Sequence, residues 1–441
     1  MLIAAQSGRA LAAAARRAGY VPLVADLFGD LDTRRIAGRW GLLARDTDGG
    51  IAEAGFVEAL MALAKGVPAT RIAGLAYASG FEDRPWLLEA ASRHWPLLGN
   101  APRVLRDIKD PLRFARLCHE LGIAHPQVAL AAPAAPAGWL VKRVGGSGGA
   151  HVAAMRAGDA ALAGRYFQRR VSGASVSALF CADGCQACLL GFSSQWADPA
   201  PAAPFRFGGA AGPVAVAPAF ADAMNHAVAA LTRACGLHGL NSADFALDAA
   251  TAWLLEINPR PGATLDVFDA GETQMFAWHR AGCEGGVPNV ENGGGILAFS
   301  LAARNRALRT LDCEAARMEA SNLEPAPLLC VGPVARENLD NMAQDNSSLR
   351  RAPLKGEGPR AIAIAYAEGP PCRMPALAWP AWAMDRQSPG TLLTDGAPVC
   401  TVLGEGQTVA AARASALRRA GAIQARLRKK TGGEAADGQR G

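Results

Sequence analysis

The sequence predicts an α/β domain on a parallel sheet, then a mixed α+β domain and a small β-rich region. Three observations carry this. Met1–Ala5, Arg9–Ala18 and Val21–Ala25 read as strand, helix and strand joined by short turns, the βαβ opening from which parallel sheets are built. Ser175–Cys181 and Cys188–Ser193 flank the turn Ala182-Asp183-Gly184, and Phe245–Asp248 and Ala252–Glu256 flank Ala249-Ala250-Thr251. These are hairpins, which an all-parallel domain lacks. Arg360–Ala367 and Pro398–Leu403 are further strands after a change of character near Gly295. A chain of 441 residues is too long for one core. The expected parts are 1–98, 99–295, 296–410 and a helix with a disordered tail over 411–441.

In chain order, Gln6-Ser7-Gly8 turns out of the first strand and Gly19 stops the first helix. Ala52–Ala64 reads as a helix, and Gly74–Ala78 as a strand running into Ser79-Gly80-Phe81-Glu82. Pro111–Gly122 is helical, Val128–Ala131 a short strand, and Ala131–Gly138 an Ala/Pro connector. Trp139–Val144 and His151–Met155 are strands around Gly145-Gly146-Ser147-Gly148-Gly149. Phe220–Cys235 is helical, as is Ile296–Leu308, whereas 310–357 is polar and weakly periodic. Val409–Leu427 closes as a helix before a Gly-rich end from Thr431.

Half the residues are hydrophobic and 19% charged, which excludes a disordered chain. The formal charge of +6 comes mostly from the arginines and lysines from Arg418 onward, seven against Glu434 and Asp437, so a nucleic-acid surface is only weakly expected. Leu121–Val141 is uncharged, but Pro126, Pro133 and Pro136 break it as a membrane span. No secretion signal is read at the start, and ten cysteines then read as reduced thiols in the cytoplasm.

The chemistry concentrates in Asn241-Ser242-Ala243-Asp244-Phe245 and Leu255-Glu256-Ile257-Asn258-Pro259-Arg260-Pro261-Gly262. A hairpin sets Asp244 beside Glu256, and alternation along a strand puts Glu256, Asn258 and Arg260 on one face. Two carboxylates and an amide oxygen are hard donors that suit Mg²⁺, with Mn²⁺ as a substitute. Taken singly, each acid could equally be satisfied by backbone at a strand end. Lys142 stands at the base of the glycine loop 145–149, where backbone N–H groups and an ammonium can wrap polyphosphate. The loop fits neither the Walker nor the dinucleotide pattern.

Together these residues resemble the ATP-grasp superfamily from about Met1 through Gly262. The resemblance implies a Rossmann-like first domain and two α+β subdomains that clamp ATP. It makes Lys109 and Lys142 the ATP-binding lysines and Gly145, Gly146, Ser147, Gly148 and Gly149 the lid over the phosphates. Gln168 and Val171, in the hinge strand Tyr166–Gly173, are implied adenine contacts. Asp244, Glu256 and Asn258 are the implied magnesium ligands, and Arg206 a cation meeting the γ-phosphate. At the place usually held by a ribose-binding glutamate stands Ser175. Asp385–Thr408 looks like the β-rich piece appended in some members.

The implied activity is ATP-dependent joining of a small-molecule carboxylate to an amine through an acylphosphate that Arg260 stabilises. Backbone N–H groups around Gly262–Thr264 are candidates for a substrate carboxylate, and Asp26 and Arg9 for substrate contact. The layout looks most like tyramine–glutamate ligase-like enzymes of one-carbon cofactor biosynthesis. Alternatives are a carboxylase acting on a small amine and a nucleotide-binding regulatory module without turnover. A homodimer stays open, and no membrane or nucleic-acid partner is expected. Cys181, Cys185 and Cys188 have iron–sulfur spacing, but their hairpin placement argues against a cluster. His279 reads as a packing residue, His151 as a surface one.

Overall fold

The computed structural model describes residues 1–270, 274–287 and 358–437. The predicted helix Ile296–Leu308 and the polar segment 310–357 lie outside them. The first part is a parallel sheet of β1 (Leu2–Ala5), β2 (Leu23–Asp26), β3 (Arg39–Leu42), β4 (Leu75–Tyr77) and β5 (Leu97–Leu98), in the order β3-β2-β1-β4-β5. Strand order reverses between β1 and β4, so the loops leaving those strands border a crevice, the usual place for a ligand in such sheets. β1, β2 and β4 are buried throughout, which is why each reads as an unbroken apolar run rather than an alternating one.

A small antiparallel sheet follows, made of β6 (Val128–Ala129), β7 (Trp139–Arg143), β8 (Ala153–Ala154) and β9 (Arg165–Arg169), in the order β6-β9-β7-β8. The largest sheet has eight strands. Five are consecutive: β10 (Ala174–Asp183), β11 (Ala187–Ala197), β12 (Phe207–Gly212), β13 (His238–Leu247) and β14 (Ala252–Asn258). Three come from the C-terminal region: β15 (Arg360–Tyr366), β17 (Ala383–Met384) and β19 (Pro398–Glu405), while β16 (Cys372–Arg373) and β18 (Leu392–Leu393) pair separately. The order is β14-β13-β10-β11-β12-β15-β19-β17.

The C-terminal strands therefore extend the central sheet. The joint is β12 against β15, with Gly209 opposite Ala363. A side chain at Gly209 would sit 2.2 Å from the Ile362 carbonyl oxygen and 2.3 Å from the Trp196 ring, so glycine is what lets this pairing close.

The helix Pro218–Cys235 begins with proline and ends at Gly236 in the left-handed conformation. Its stripe of Ala221, Met224, Val228 and Leu231 packs on Phe180, Phe245 and Leu254; full burial of such side chains contributes about 1.5–3 kcal/mol each. The C-terminal helix Val409–Asp437 lays Ala412, Ala416, Ala420 and Ile423 over β15 and β19. Its backbone runs past Thr431, where the sequence reading placed disorder. Two glycines there cost about 1 kcal/mol each, and elongating an existing helix needs no new nucleus.

One core joins the parts. Ile3 and Val24 of the first sheet and Leu11 of the helix Arg9–Arg17 share it with Leu179, Leu190, Leu240, Phe276 and Ile362. Among the described residues no helix is long and apolar enough to cross a membrane.

Candidate active site

The hairpin β13–β14 pairs Asp244 with Glu256 and Ser242 with Asn258. The carboxylates stand side by side, as their spacing predicts. Asp244 accepts hydrogen bonds from Ser177 Oγ at 2.6 Å, Asn258 Nδ2 at 2.9 Å and Gln195 Nε2 at 3.3 Å. Arg260 is buried; its Nε donates to Glu82 Oε1 at 2.8 Å and its Nη2 to Asn258 Oδ1 at 3.3 Å. Glu82 lies in the loop after β4, so the first domain orients Arg260.

Two lysines approach the carboxylates from elsewhere. Lys109, ending the helix Pro102–Lys109, brings Nζ within 3.4 Å of Glu256 Oε2. Lys142 on β7 donates from Nζ to Gln168 Oε1 on β9 at 3.0 Å. Burial pulls the Lys142 ammonium down, against the opposing pull of Glu256. Burial would raise Glu256, but Lys109 and Lys142 bring it down to about 2. Asp244 goes the other way, pushed up to about 6 by burial and then by the neighbouring Glu256 charge.

The glycine loop is seated on both sides. Gly145, Gly148 and Gly149 have φ of +68°, +70° and +73°, where side chains are disfavoured. A Cβ at Gly145 would meet Asp83 backbone at 2.7 Å, and one at Gly149 the Phe205 carbonyl oxygen at 2.0 Å. Phe207 N donates to Gly148 O at 2.9 Å. The loop is shaped by its neighbours more than by its own bonds.

A cavity of about 990 Å³ collects most of the predicted residues: Lys142, Ser147, Gly148, Gly149, Gln168, Val171, Ser175, Arg206, Asp244, Glu256, Asn258 and Arg260. Gly145 and Ser147 line an adjoining cavity of about 440 Å³. Gly146 packs against the His151 ring instead. Lys109 touches Glu256 without lining either cavity. Two side chains have partners the sequence did not announce. Gln168 is engaged by Lys142, and Arg206 stacks 3.6 Å from the Tyr366 ring while donating to Asp198 O at 3.0 Å and Oδ2 at 2.6 Å.

Other expectations shift. His151 is half-buried, and burial drops it to about 4; it is not a surface residue, because the glycine at 146 leaves room for its ring. Asp26 accepts from Gly8 N, Phe28 N and Gly29 N at 2.9, 3.2 and 2.7 Å, shaping a turn. His279 is fully buried between Leu98 O and Leu240 N, as a packing residue should be. Cys181 and Cys188 are cross-strand neighbours whose thiols burial raises, Cys188 to about 12; metal-binding cysteines need the thiolate.

Sequence reasoning missed Ser177, Gln195 and Glu82, which hold Asp244 and Arg260, and Tyr366, which holds Arg206. Ser177 could have been found, since it follows the hinge by strand alternation. The others come from distant segments and carry no local signal.

Two adjacent half-buried carboxylates, one raised toward its protonated form by desolvation and then by the charge of the other, leave room for a compensating cation. Asp244, Glu256 and the Asn258 amide oxygen form a donor set that fits Mg²⁺. The site thus gathers lysines, arginines and paired carboxylates at the end of an antiparallel sheet, beside a glycine loop, charges suited to binding phosphate.

Comparison with known proteins agrees. Residues 108–264 match the family model described as ATP-grasp domain, and the fold of the chain is similar to several solved structures. N5-carboxyaminoimidazole ribonucleotide synthetase from Thermotoga maritima is similar at a TM-score of 0.57 and 12% identity, over 95% of this chain and 97% of that one. L-amino acid ligase from Bacillus licheniformis gives 0.56 and 13% over 95% and 96%. The biotin carboxylase domain of Hydrogenobacter thermophilus 2-oxoglutarate carboxylase, solved with Mg-ADP and bicarbonate, gives 0.55 and 10% over 91% and 85%. No curated protein sequence matches the chain.

Proposed function

We propose that the protein is an ATP-dependent carboxylate–amine ligase whose ATP lies in the large cavity. The supporting observation is the convergence of Lys109, Lys142 and Arg260 on the Asp244–Glu256 pair, with no activated nucleophile beside them among the described residues. Phosphoryl transfer asks a protein for positioning and charge stabilisation rather than covalent help. Residues 99–295 would clamp the nucleotide between the small sheet and the eight-stranded one. Lys142 binds phosphate oxygens from the cavity wall, the loop 145–149 covers them, and Gln168 and Val171 adjoin the adenine. Lys109 acts on the phosphates through Glu256 and meets them directly only if the clamp closes on nucleotide. Asp244, Glu256 and Asn258 would hold Mg²⁺, which neutralises charge between phosphate groups when bound.

A carboxylate oxygen attacks the γ-phosphorus, the bond to the β,γ-bridging oxygen breaks, and ADP leaves. Arg260 and Arg206 stabilise the anionic acylphosphate. The amine then attacks the acyl carbon, phosphate departs, and a proton is lost from nitrogen. The specific reading is addition of glutamate or another amino acid during cofactor assembly, in the cytoplasm. A second reading has bicarbonate as the carboxylate, and similarity to two carboxylating folds favours it. ADP release across a grid of acids and amines, with bicarbonate as one acid, tests both. Release should require one acid, one amine and Mg²⁺ together. Release with no pair in the grid, alongside tight ATP binding, would favour the regulatory module.

A further inference from the structure

The large cavity carries opposite charge in two places. Near the hinge and the carboxylate pair, Lys142, Arg169, Arg170, Arg206 and Arg260 outnumber Asp244 and Glu256. Where the three parts of the chain meet, Arg9 alone opposes Asp30, Asp266 and Asp385 on the cavity wall. Arg9 is 4% exposed and donates to Asp266 at 2.6 and 2.5 Å and to Asp385 at 2.8 and 3.0 Å. One guanidinium balances one of these two carboxylates, leaving a net negative charge, while Asp385 also accepts from the Ser7 and Thr401 side chains. Asp30 is committed to Asp32 N, Thr33 N and the Thr33 hydroxyl, so it adds charge rather than a contact. Asp266 and Asp385 keep 15% and 21% of their side chains exposed.

A second observation is independent of charge. Gln387 is 5% exposed and lines the same corner, and its side-chain amide has no hydrogen-bond partner among the described residues. Its backbone is fixed, since Gln387 N donates to Val399 O at 3.3 Å and the neighbouring Arg386 grips Asp32. Its amide therefore faces the cavity with its hydrogen-bonding capacity unused by the described residues, available to a polar group bound there. Asp385, beside it, has φ of +52°, a conformation that non-glycine residues seldom hold.

We infer that this corner is the subsite for the amine substrate, which enters as an ammonium ion held by Asp385 and Asp266, with the Gln387 amide completing a polar group next to it. The ammonium gives up one proton to a carboxylate there before its nitrogen attacks. The inference rests on the ligase reading and names its acceptor class: an aliphatic amine, charged at neutral pH. An acceptor attracted to this corner is repelled by the cations around the phosphates, which separates the two substrates before reaction.

Three probes of equal length and different charge test this: 1,4-diaminobutane, 1,4-butanediol and succinate, titrated into the full-length protein by ligand-observed NMR with a non-hydrolysable ATP analogue and Mg²⁺. The diamine should bind at least tenfold more tightly than the diol or succinate. Asp385→Asn should weaken it about tenfold, and Gln387→Leu about threefold or more, with analogue affinity unchanged within twofold in both. Preference for succinate would overturn the proposal, because Arg9 would then be the recognition group. Diamine affinity unchanged in folded Asp385→Asn and in Gln387→Leu would overturn it as well. If the ATP analogue fails to bind wild-type protein, the nucleotide reading falls, and the diamine comparison still decides this one.

Discussion

Glu256 accepts from one lysine, lies in the field of a second and pairs with Asp244. Glu256→Gln keeps the shape but removes one of the two carboxylates proposed to hold Mg²⁺. Magnesium-dependent ADP release should fall at least a hundredfold with an unchanged melting temperature, measured at limiting Mg²⁺. The pair also sets a pH signature. Asp244 rises from 3.8 to about 6 on folding, so the folded state holds its proton more tightly than the unfolded chain. In metal-free buffer its contribution to stability is therefore lost as pH rises from about 4 through about 6 and is constant above. Urea denaturation across that range should show the decline in wild type and a flatter line in Asp244→Asn. Ser175, on the cavity wall, offers only neutral hydrogen bonds, while charge-assisted ones to ribose are worth about 1.5–3 kcal/mol. Ser175→Glu should tighten ATP several-fold and 2′-deoxy-ATP less; equal gains for both would show that residue 175 does not meet the ribose.

At the scale of one element, the glycine loop is the test. A Cβ at Gly149 collides with the Phe205 carbonyl, while one at Gly148 meets nothing within 4 Å, at nearly the same positive φ. Both substitutions carry backbone strain of about 1–3 kcal/mol, but only Gly149→Ala also displaces the loop from β12. Its KM for ATP should rise roughly tenfold more than that of Gly148→Ala in the same ADP-release assay. Comparable values would mean that the seat against Phe205 has no part in holding nucleotide.

Across the whole molecule, Arg9 is the joint between the first helix, the short helix Leu265–Phe268 carrying Asp266 and the C-terminal loop carrying Asp385. Removing one partner of a buried ion network leaves uncompensated charge at about 3–5 kcal/mol, and the partial exposure of both aspartates argues for the low end. Arg9→Met should lower unfolding free energy by about 3 kcal/mol in denaturant titration, and Asp385→Asn in the same chain should recover part of it. Additive losses would show that the three groups are not one network.

The order of strands and helices around β1, the hairpin that pairs Asp244 with Glu256, and the cation at the glycine loop were all legible in the sequence. They depend on periodicity of two or 3.6 and on neighbours a few residues apart, which local sterics enforce. Illegible were the elements Leu31–Ile36 and Arg39–Leu42, a short charged helix and an exposed strand whose patterns lack a continuous apolar side. The addition of β15 to β12, the stacking of Tyr366 on Arg206, the grip of Glu82 on Arg260 and the Arg9 joint were equally hidden. Each joins segments more than a hundred residues apart, and a buried polar group takes whichever partner packing brings within reach. Which groups could do this chemistry was therefore set by the sequence alone, and which of them are held in place, and by what, was decided only when the sheets closed around one cavity.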